Sequence, residues 1–144
     1  MNAWRVDANS NMEGFHDLVI LVVEDDNDGR ELLQTVLEQR GANVIAAESV
    51  ARAFELLENE TPDVIVSDIA MPDEDGFSLG HRLRSLPDAR GGRTPLIAVS
   101  AFSTTNDRAR ALAAGFDRYL HKPVDFDELS ATIVALVDRE PAQA

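Results

Sequence analysis

The sequence lacks cysteine and long apolar runs, and each absence excludes a class of protein. With no cysteine among 144 residues, disulfides and thiolate metal sites are excluded, and we expect a cytoplasmic, reducing environment. The longest uninterrupted apolar run, Leu18 to Val23, has six residues, whereas a membrane-spanning helix needs about 20. Residues 1–17 also lack the basic start and apolar stretch of a secretory signal. We therefore expect no membrane segment.

Basic side chains are also scarce. The chain has 13 lysines and arginines against 26 aspartates and glutamates, which gives a formal net charge of -13. Such a field repels phosphate backbones and anionic lipid surfaces. We therefore expect no nucleic acid and no membrane among the partners, and no DNA-binding output module within the chain.

The length fits one domain. We predict a flexible N-terminal segment over residues 1–17, a folded domain over 18–138 and a C-terminal tail over 139–144. Within the domain, short apolar segments rich in β-branched residues alternate five times with segments of helical periodicity. Strict alternation predicts an α/β fold: a doubly wound, five-stranded parallel sheet with strand order 2-1-3-4-5.

Polar side chains follow four of the predicted strands, namely Glu24–Asp26, Asp68, Ser100 and Lys122. Because the carboxyl ends of parallel strands form one edge of the sheet, we expect these groups to lie together. Carboxylates without histidine or cysteine favour a hard cation, Mg²⁺ first. An ammonium and a hydroxyl beside the metal would suit a phosphoryl group, and a carboxylate there can become an aspartyl-phosphate.

Each of these groups also has an ordinary explanation. Acids are favoured near a helix N-terminus, Ser100 could be a plain polar strand end, and Lys122 a surface lysine; only the joint pattern carries the prediction. A calcium loop starting at Glu24 fails, because it needs Asp first and Glu twelfth, where Thr35 stands. The glycine-rich loops that bind nucleotides do not follow the first strand.

Four segments together closely resemble the receiver domains of response regulators, the CheY-like family of two-component signalling: Leu21–Asp26, Pro62–Gly76, Ile97–Ala101 and Tyr119–Pro123. The resemblance covers roughly residues 19–137. It implies the flavodoxin-like (βα)5 fold, a Mg²⁺ cofactor, and transfer of a phosphoryl group from a histidine kinase or histidine phosphotransfer protein to an aspartate. It implies no enzyme activity beyond assisting this phosphorylation and its reversal.

Carried over residue by residue, the resemblance implies the metal site. Asp68 matches the phosphoacceptor and also a metal ligand. Glu24 and Asp25 match the acidic pair, with Asp25 a direct Mg²⁺ ligand and Glu24 acting through water. The backbone carbonyl of Ala70 matches the third protein ligand.

The resemblance also implies a switch. Ser100 matches the hydroxyl that moves toward the phosphoryl group, Lys122 the lysine that pairs with it, and Tyr119 the aromatic ring that changes rotamer. The Lys122–Pro123 bond is expected to be cis. The face formed by the fourth helix, fifth strand and fifth helix is then expected to signal to a downstream effector protein.

Two positions of this sequence bear on how long the phosphoryl group survives. The residues two after Asp68 and two after Ser100 are Ala70 and Phe102. The resemblance implies that these positions influence the attack of water on the acyl phosphate, and neither side chain can orient a water by hydrogen bonding. We therefore expect slow self-dephosphorylation.

Several alternatives stay open. The chain could be a free-standing regulator or the receiver of a hybrid histidine kinase. It could instead be a Mg²⁺-dependent phosphohydrolase with Asp68 as nucleophile, although such enzymes usually carry a second aspartate where Ala70 stands. A non-phosphorylated interaction module would lack part of the polar set, which is complete here.

Overall fold

The computed structural model describes residues 15–70, 76–101 and 105–143, except for the side chains of residues 105 and 138–143. The strands are β1 Val19–Val23, β2 Asn43–Ala47, β3 Val64–Asp68, β4 Leu96–Ser100 and β5 Arg118–His121. The helices are α1 Asn27–Gln39, α2 Val50–Leu57, α3 Phe77–Arg84, α4 Thr105–Ala113 and α5 Phe126–Gln143.

The five strands form one parallel sheet in the order β2-β1-β3-β4-β5. This order confirms the predicted doubly wound α/β fold. The register aligns the strand ends that carry polar groups: Asp68 pairs with Val99, and Ser100 pairs with His121. The fold therefore delivers residues from β1, β3, β4 and β5 to one edge.

Side chains alternate along each strand between two apolar cores. On one side, Leu21 and Val23 of β1 pack with residues of α2, α3 and α4. On the other, Ile20 and Val22 pack with residues of α1 and α5. Burial on both faces explains why the central strands are continuous apolar runs. In the part of the chain that is described, no helix combines the length and apolar character needed to cross a bilayer.

Local signals in the sequence define the helix ends. The carboxylate of Asp26 accepts from the Gly29 N–H at 2.8 Å and caps α1, and the Ser49 hydroxyl accepts from the Arg52 N–H at 3.0 Å and caps α2. Gly41 follows α1 with φ 101°, a left-handed conformation that glycine adopts without a steric cost.

Described residues with regular contacts lie outside the bounds of the predicted domain, 18–138, at both ends. Phe15, placed by prediction in the flexible segment 1–17, is only 2% exposed, and its N–H donates to the Arg40 carbonyl at 2.9 Å. An isolated aromatic residue among Asn and Gly gives no periodic signal, which is why the sequence does not reveal it. Residues 1–14 lie outside the described residues. Helix α5 continues to Gln143, into the predicted tail 139–144.

Candidate functional site

Lys122 joins the carboxylates of two different strands at the carboxyl edge of the sheet. Its Nζ lies 2.7 Å from Oε1 of Glu24, which follows β1, and 3.2 Å from Oδ2 of Asp68, which ends β3. Both carboxylates are buried, whereas the Lys122 side chain is about one-third exposed. The predicted convergence of these strand ends is therefore present in the fold.

Three carboxylates share this pocket with one ammonium. One oxygen from each of Glu24, Asp25 and Asp68 lies within 4.8 Å of the others, and Asp25 is the most exposed of the three. With Lys122 counted, a net negative charge remains in a partly buried space, and such a charge is costly without a further cation. A set of oxygen donors alone is what Mg²⁺ prefers in proteins, so the donor set fits this ion.

The β1–α1 connection orients the acidic side chains through its backbone. The Glu24 N–H donates to the Ala47 carbonyl at 3.0 Å and extends the pairing of β1 with β2. The Asp26 N–H donates to Glu24 Oε2 at 3.2 Å, and the Arg30 guanidinium donates to the Glu24 carbonyl at 2.9 Å. Asp26 itself caps α1. Of the three consecutive acids, this one is therefore explained by its position at a helix N-terminus. No sequence pattern points to Arg30.

Asp68 is held at both of its carboxylate oxygens. Oδ1 accepts from the Ala70 N–H at 2.9 Å, while Oδ2 faces Lys122. Gly76 packs directly against this strand end: a Cβ there would lie 2.5 Å from Ile69 Cα and 2.6 Å from the Asp68 carbonyl oxygen. Any larger residue at position 76 would displace the segment that carries Asp68.

Ser100 and Tyr119 lie on the same face of the sheet. Ser100 is fully buried at the end of β4, and its carbonyl accepts from the Lys122 N–H at 2.8 Å. Tyr119 pairs in register with Ala98, two residues before Ser100, so the side chains of Ser100 and Tyr119 point the same way. The Lys122–Pro123 peptide is cis, as the resemblance implies. Phe102 lies outside the described residues.

The pocket shifts the pKa of two of its groups. Burial raises the pKa of Glu24 above its usual 4.5, and the charge of Asp68 raises it further; the hydrogen bond from Lys122 offsets these effects only in part. For Lys122, burial lowers the pKa, but the hydrogen bond and charge of Glu24 and those of Asp68 outweigh it, so the net shift is upward. Lys122 is therefore a cation throughout the physiological pH range.

Comparison with known proteins identifies the family. The family described as response regulator receiver domain matches residues 20–134, most of the chain. This chain belongs to that family. The assignment agrees with the fold, because receiver domains of solved structure superimpose on it along most of their length.

Relatives of this receiver domain occur in proteins of different size. An uncharacterized 14.6 kDa protein of Leptolyngbya boryana is 48% identical over 118 residues, 82% of this chain and 88% of that protein. Response regulator MprA of a Mycobacterium species is 38% identical, and the match covers 83% of this chain but only 50% of MprA. The chain thus spans about half the length of this second relative.

A solved structure with a metal ion is also similar. The receiver domain of a sensor histidine kinase from Pseudomonas aeruginosa superimposes with a TM-score of 0.76 at 29% identity, and the match covers 84% of this chain and 98% of that one. That structure is described as having a magnesium ion coordinated in its active-site cleft.

The raised pKa of Glu24 predicts a pH-dependent stability in the absence of divalent cations. A raised folded-state pKa means that ionised Glu24 destabilises the folded chain. The penalty is absent below pH 4.5 and grows as the pH rises through the folded pKa. We expect Glu24→Gln to unfold at higher urea concentration than wild type at pH 7 in EDTA, and the difference to shrink toward pH 4.

The control is Glu31→Gln, because Glu31 is exposed on α1; it should follow the wild-type curve at every pH. A Glu24→Gln protein that is less stable than wild type at pH 7 without metal would contradict this account of the pocket.

Proposed function

We propose that this receiver domain accepts a phosphoryl group on Asp68, with Mg²⁺ as cofactor, and uses the resulting charge change to signal to another protein. One observation carries the proposal: Asp68 contacts Lys122 through one oxygen and shares an acidic cluster with Glu24 and Asp25. The carboxylate of Asp68 therefore lies beside both an ammonium and oxygen donors suited to a divalent cation.

The metal ligands and the lysine have separate roles in this pocket. Asp25 and Asp68 would hold Mg²⁺ directly, with the Ala70 carbonyl as a further ligand and Glu24 acting through water. When bound, the ion supplies positive charge to the carboxylates and to the oxygens of the incoming phosphoryl group. The described magnesium of the Pseudomonas receiver domain supports this assignment.

The transfer itself needs little covalent chemistry from the protein. A carboxylate oxygen of Asp68 attacks the phosphorus of a phosphohistidine on the donor protein; the new O–P bond forms as the N–P bond breaks, and the imidazole leaves with the electron pair and takes up a proton. Lys122, held 3.2 Å from Asp68, is positioned to pair with a phosphoryl oxygen. The donor is a histidine kinase or a histidine phosphotransfer protein, and the domain has no other enzyme activity.

The signal then passes through Ser100 and Tyr119. A phosphoryl group adds charge and three acceptor oxygens beside β4, and the Ser100 hydroxyl is a donor on a neighbouring strand end. As Ser100 moves toward the phosphoryl group, Tyr119 rotates into the space that Ser100 vacates, so the buried rotamer of the ring belongs to the phosphorylated conformation. The surface that a downstream protein would contact is formed by α4, β5 and α5.

Asp68→Asn tests the phosphoacceptor. With acetyl phosphate and Mg²⁺, we expect the wild type to gain one phosphoryl group by intact-mass spectrometry, and Asp68→Asn to gain none, because an amide is a poor nucleophile. Asp88→Asn is the matched control, since Asp88 is exposed near the start of β4, at the opposite end of the sheet; it should label like the wild type.

The outcomes separate the three candidate functions. Equal labelling of wild type and Asp68→Asn would contradict the assignment of Asp68. No labelling of the wild type would favour the interaction module, and steady turnover of a small phosphate ester would favour the phosphohydrolase.

Residue 70 predicts a long-lived phosphoryl group. Ala70 is half-buried beside Asp68, and its methyl group cannot orient a water for attack. We expect a lifetime of minutes or longer at room temperature without a phosphatase, and a shorter one in Ala70→Asn, whose amide can hold a water. Loss of the 32P label in a filter assay measures both; a lifetime of seconds for the wild type would contradict the prediction.

A further inference from the structure

Helix α4 is weakly anchored to the core. Among its described side chains, those of residues 106–113, only Ala111 is buried. The large apolar side chain of Leu112 is 50% exposed instead. Since burial of large apolar groups is the main force that fixes a helix on a sheet, α4 depends on contacts at its edges for its position.

Two arginines of α4 lie over aromatic rings on the elements at either side. The guanidinium carbon of Arg108 is 5.2 Å from the ring centre of Tyr119 on β5, and that of Arg110 is 4.1 Å from the ring centre of Phe77 on α3. Both distances are within the range of a cation–π interaction. The helix is thus joined to β5 through Tyr119.

Tyr119 is the ring that shares a sheet face with Ser100. It is 6% exposed and belongs to the apolar core beneath α2, α3 and α4. Arg108 is an exposed residue, so its guanidinium covers the ring from the solvent side. The contact with Arg108 forms while the Tyr119 ring is buried, so it favours this position over one in which the ring leaves the core.

We propose that Arg108 is a positioning residue of the switch: its guanidinium stabilises the buried rotamer of Tyr119, the one that fills the space vacated by Ser100, and so favours the phosphorylated conformation. This inference rests on the proposed function, because it takes Tyr119 as the element that responds to the phosphoryl group. An exposed cation–π contact is worth about a two- to five-fold change in an equilibrium, which is the size of effect expected.

The sequence supplies a direct probe of the ring. Tyr119 is the only tyrosine and Trp4 the only tryptophan in the chain, so a Trp4→Phe background leaves Tyr119 as the sole useful fluorophore. In that background, acrylamide quenching of tyrosine emission reports the exposure of Tyr119. The variants are Arg108→Met, which keeps a chain of similar length without charge, and Arg108→Lys, which keeps the charge without the planar group.

Arg82→Met is the matched control. The Arg82 guanidinium lies 4.1 Å from the ring centre of Phe54, where it joins α3 to α2, so its loss removes the same kind of contact at a different ring. We expect Arg108→Met to raise the quenching constant of the unphosphorylated protein, Arg108→Lys to raise it less, and Arg82→Met to leave it unchanged.

A second readout separates a switch role from simple covering of the ring. The apparent affinity for beryllofluoride in the presence of Mg²⁺ should fall about two- to five-fold in Arg108→Met, recover in part in Arg108→Lys, and stay unchanged in Arg82→Met. Unchanged quenching in Arg108→Met, or altered quenching with unchanged beryllofluoride affinity, would overturn the proposal.

Failure of the proposed function gives a different result, because the wild type would then bind no beryllofluoride. The quenching series on the metal-free protein would still decide whether Arg108 holds Tyr119 in its buried position.

Discussion

The chemistry of this receiver domain depends on one electrostatic constraint: three carboxylates share a partly buried pocket with one lysine. Burial of Glu24 beside the charge of Asp68 makes the metal-free pocket less stable than a neutral one would be, and these two effects, burial first, raise the pKa of Glu24. The same excess of negative charge, carried by oxygen donors alone, makes the pocket compatible with a divalent cation such as Mg²⁺.

The parallel sheet brings these charged side chains together although few residues are devoted to holding them. The strands β1, β3 and β4 are largely apolar runs whose burial fixes their position, and the polar residues at their carboxyl ends lie at the common edge. Backbone contacts then help to hold the acids: the Glu24 N–H donates to the Ala47 carbonyl, and the Asp68 carboxylate accepts from the Ala70 N–H. Gly76 permits the close approach of the chain to the end of β3.

Much of this arrangement can be predicted from the sequence. Alternating apolar runs and helical periodicity predict the strand order, and the strand order brings Asp68 and Lys122 together although they are 54 residues apart. Capping by Ser49 and the stop at Gly41 follow from local backbone requirements. These predictions succeed because each depends on short-range pattern or on the known topology of parallel sheets.

Other features depend on tertiary packing and leave no pattern in the sequence. Phe15 is buried although its neighbours in sequence are polar, and the division of labour between Asp25 and Asp26 becomes evident only when Asp26 is seen to cap α1. The stacking of Arg108 on Tyr119 joins an exposed helix position to a strand, and no spacing rule connects the two.

The most direct test of the account is calorimetric titration of the metal-free protein with Mg²⁺. The pocket predicts one ion per chain, and at least ten-fold weaker binding in Asp25→Asn, because Asp25 offers a carboxylate to the ion. Asp26→Asn should bind Mg²⁺ as the wild type does, because the Asp26 carboxylate caps α1 and does not belong to the cluster of three carboxylates. Equal Mg²⁺ affinity in wild type and Asp25→Asn, or no binding to the wild type, would contradict the central claim.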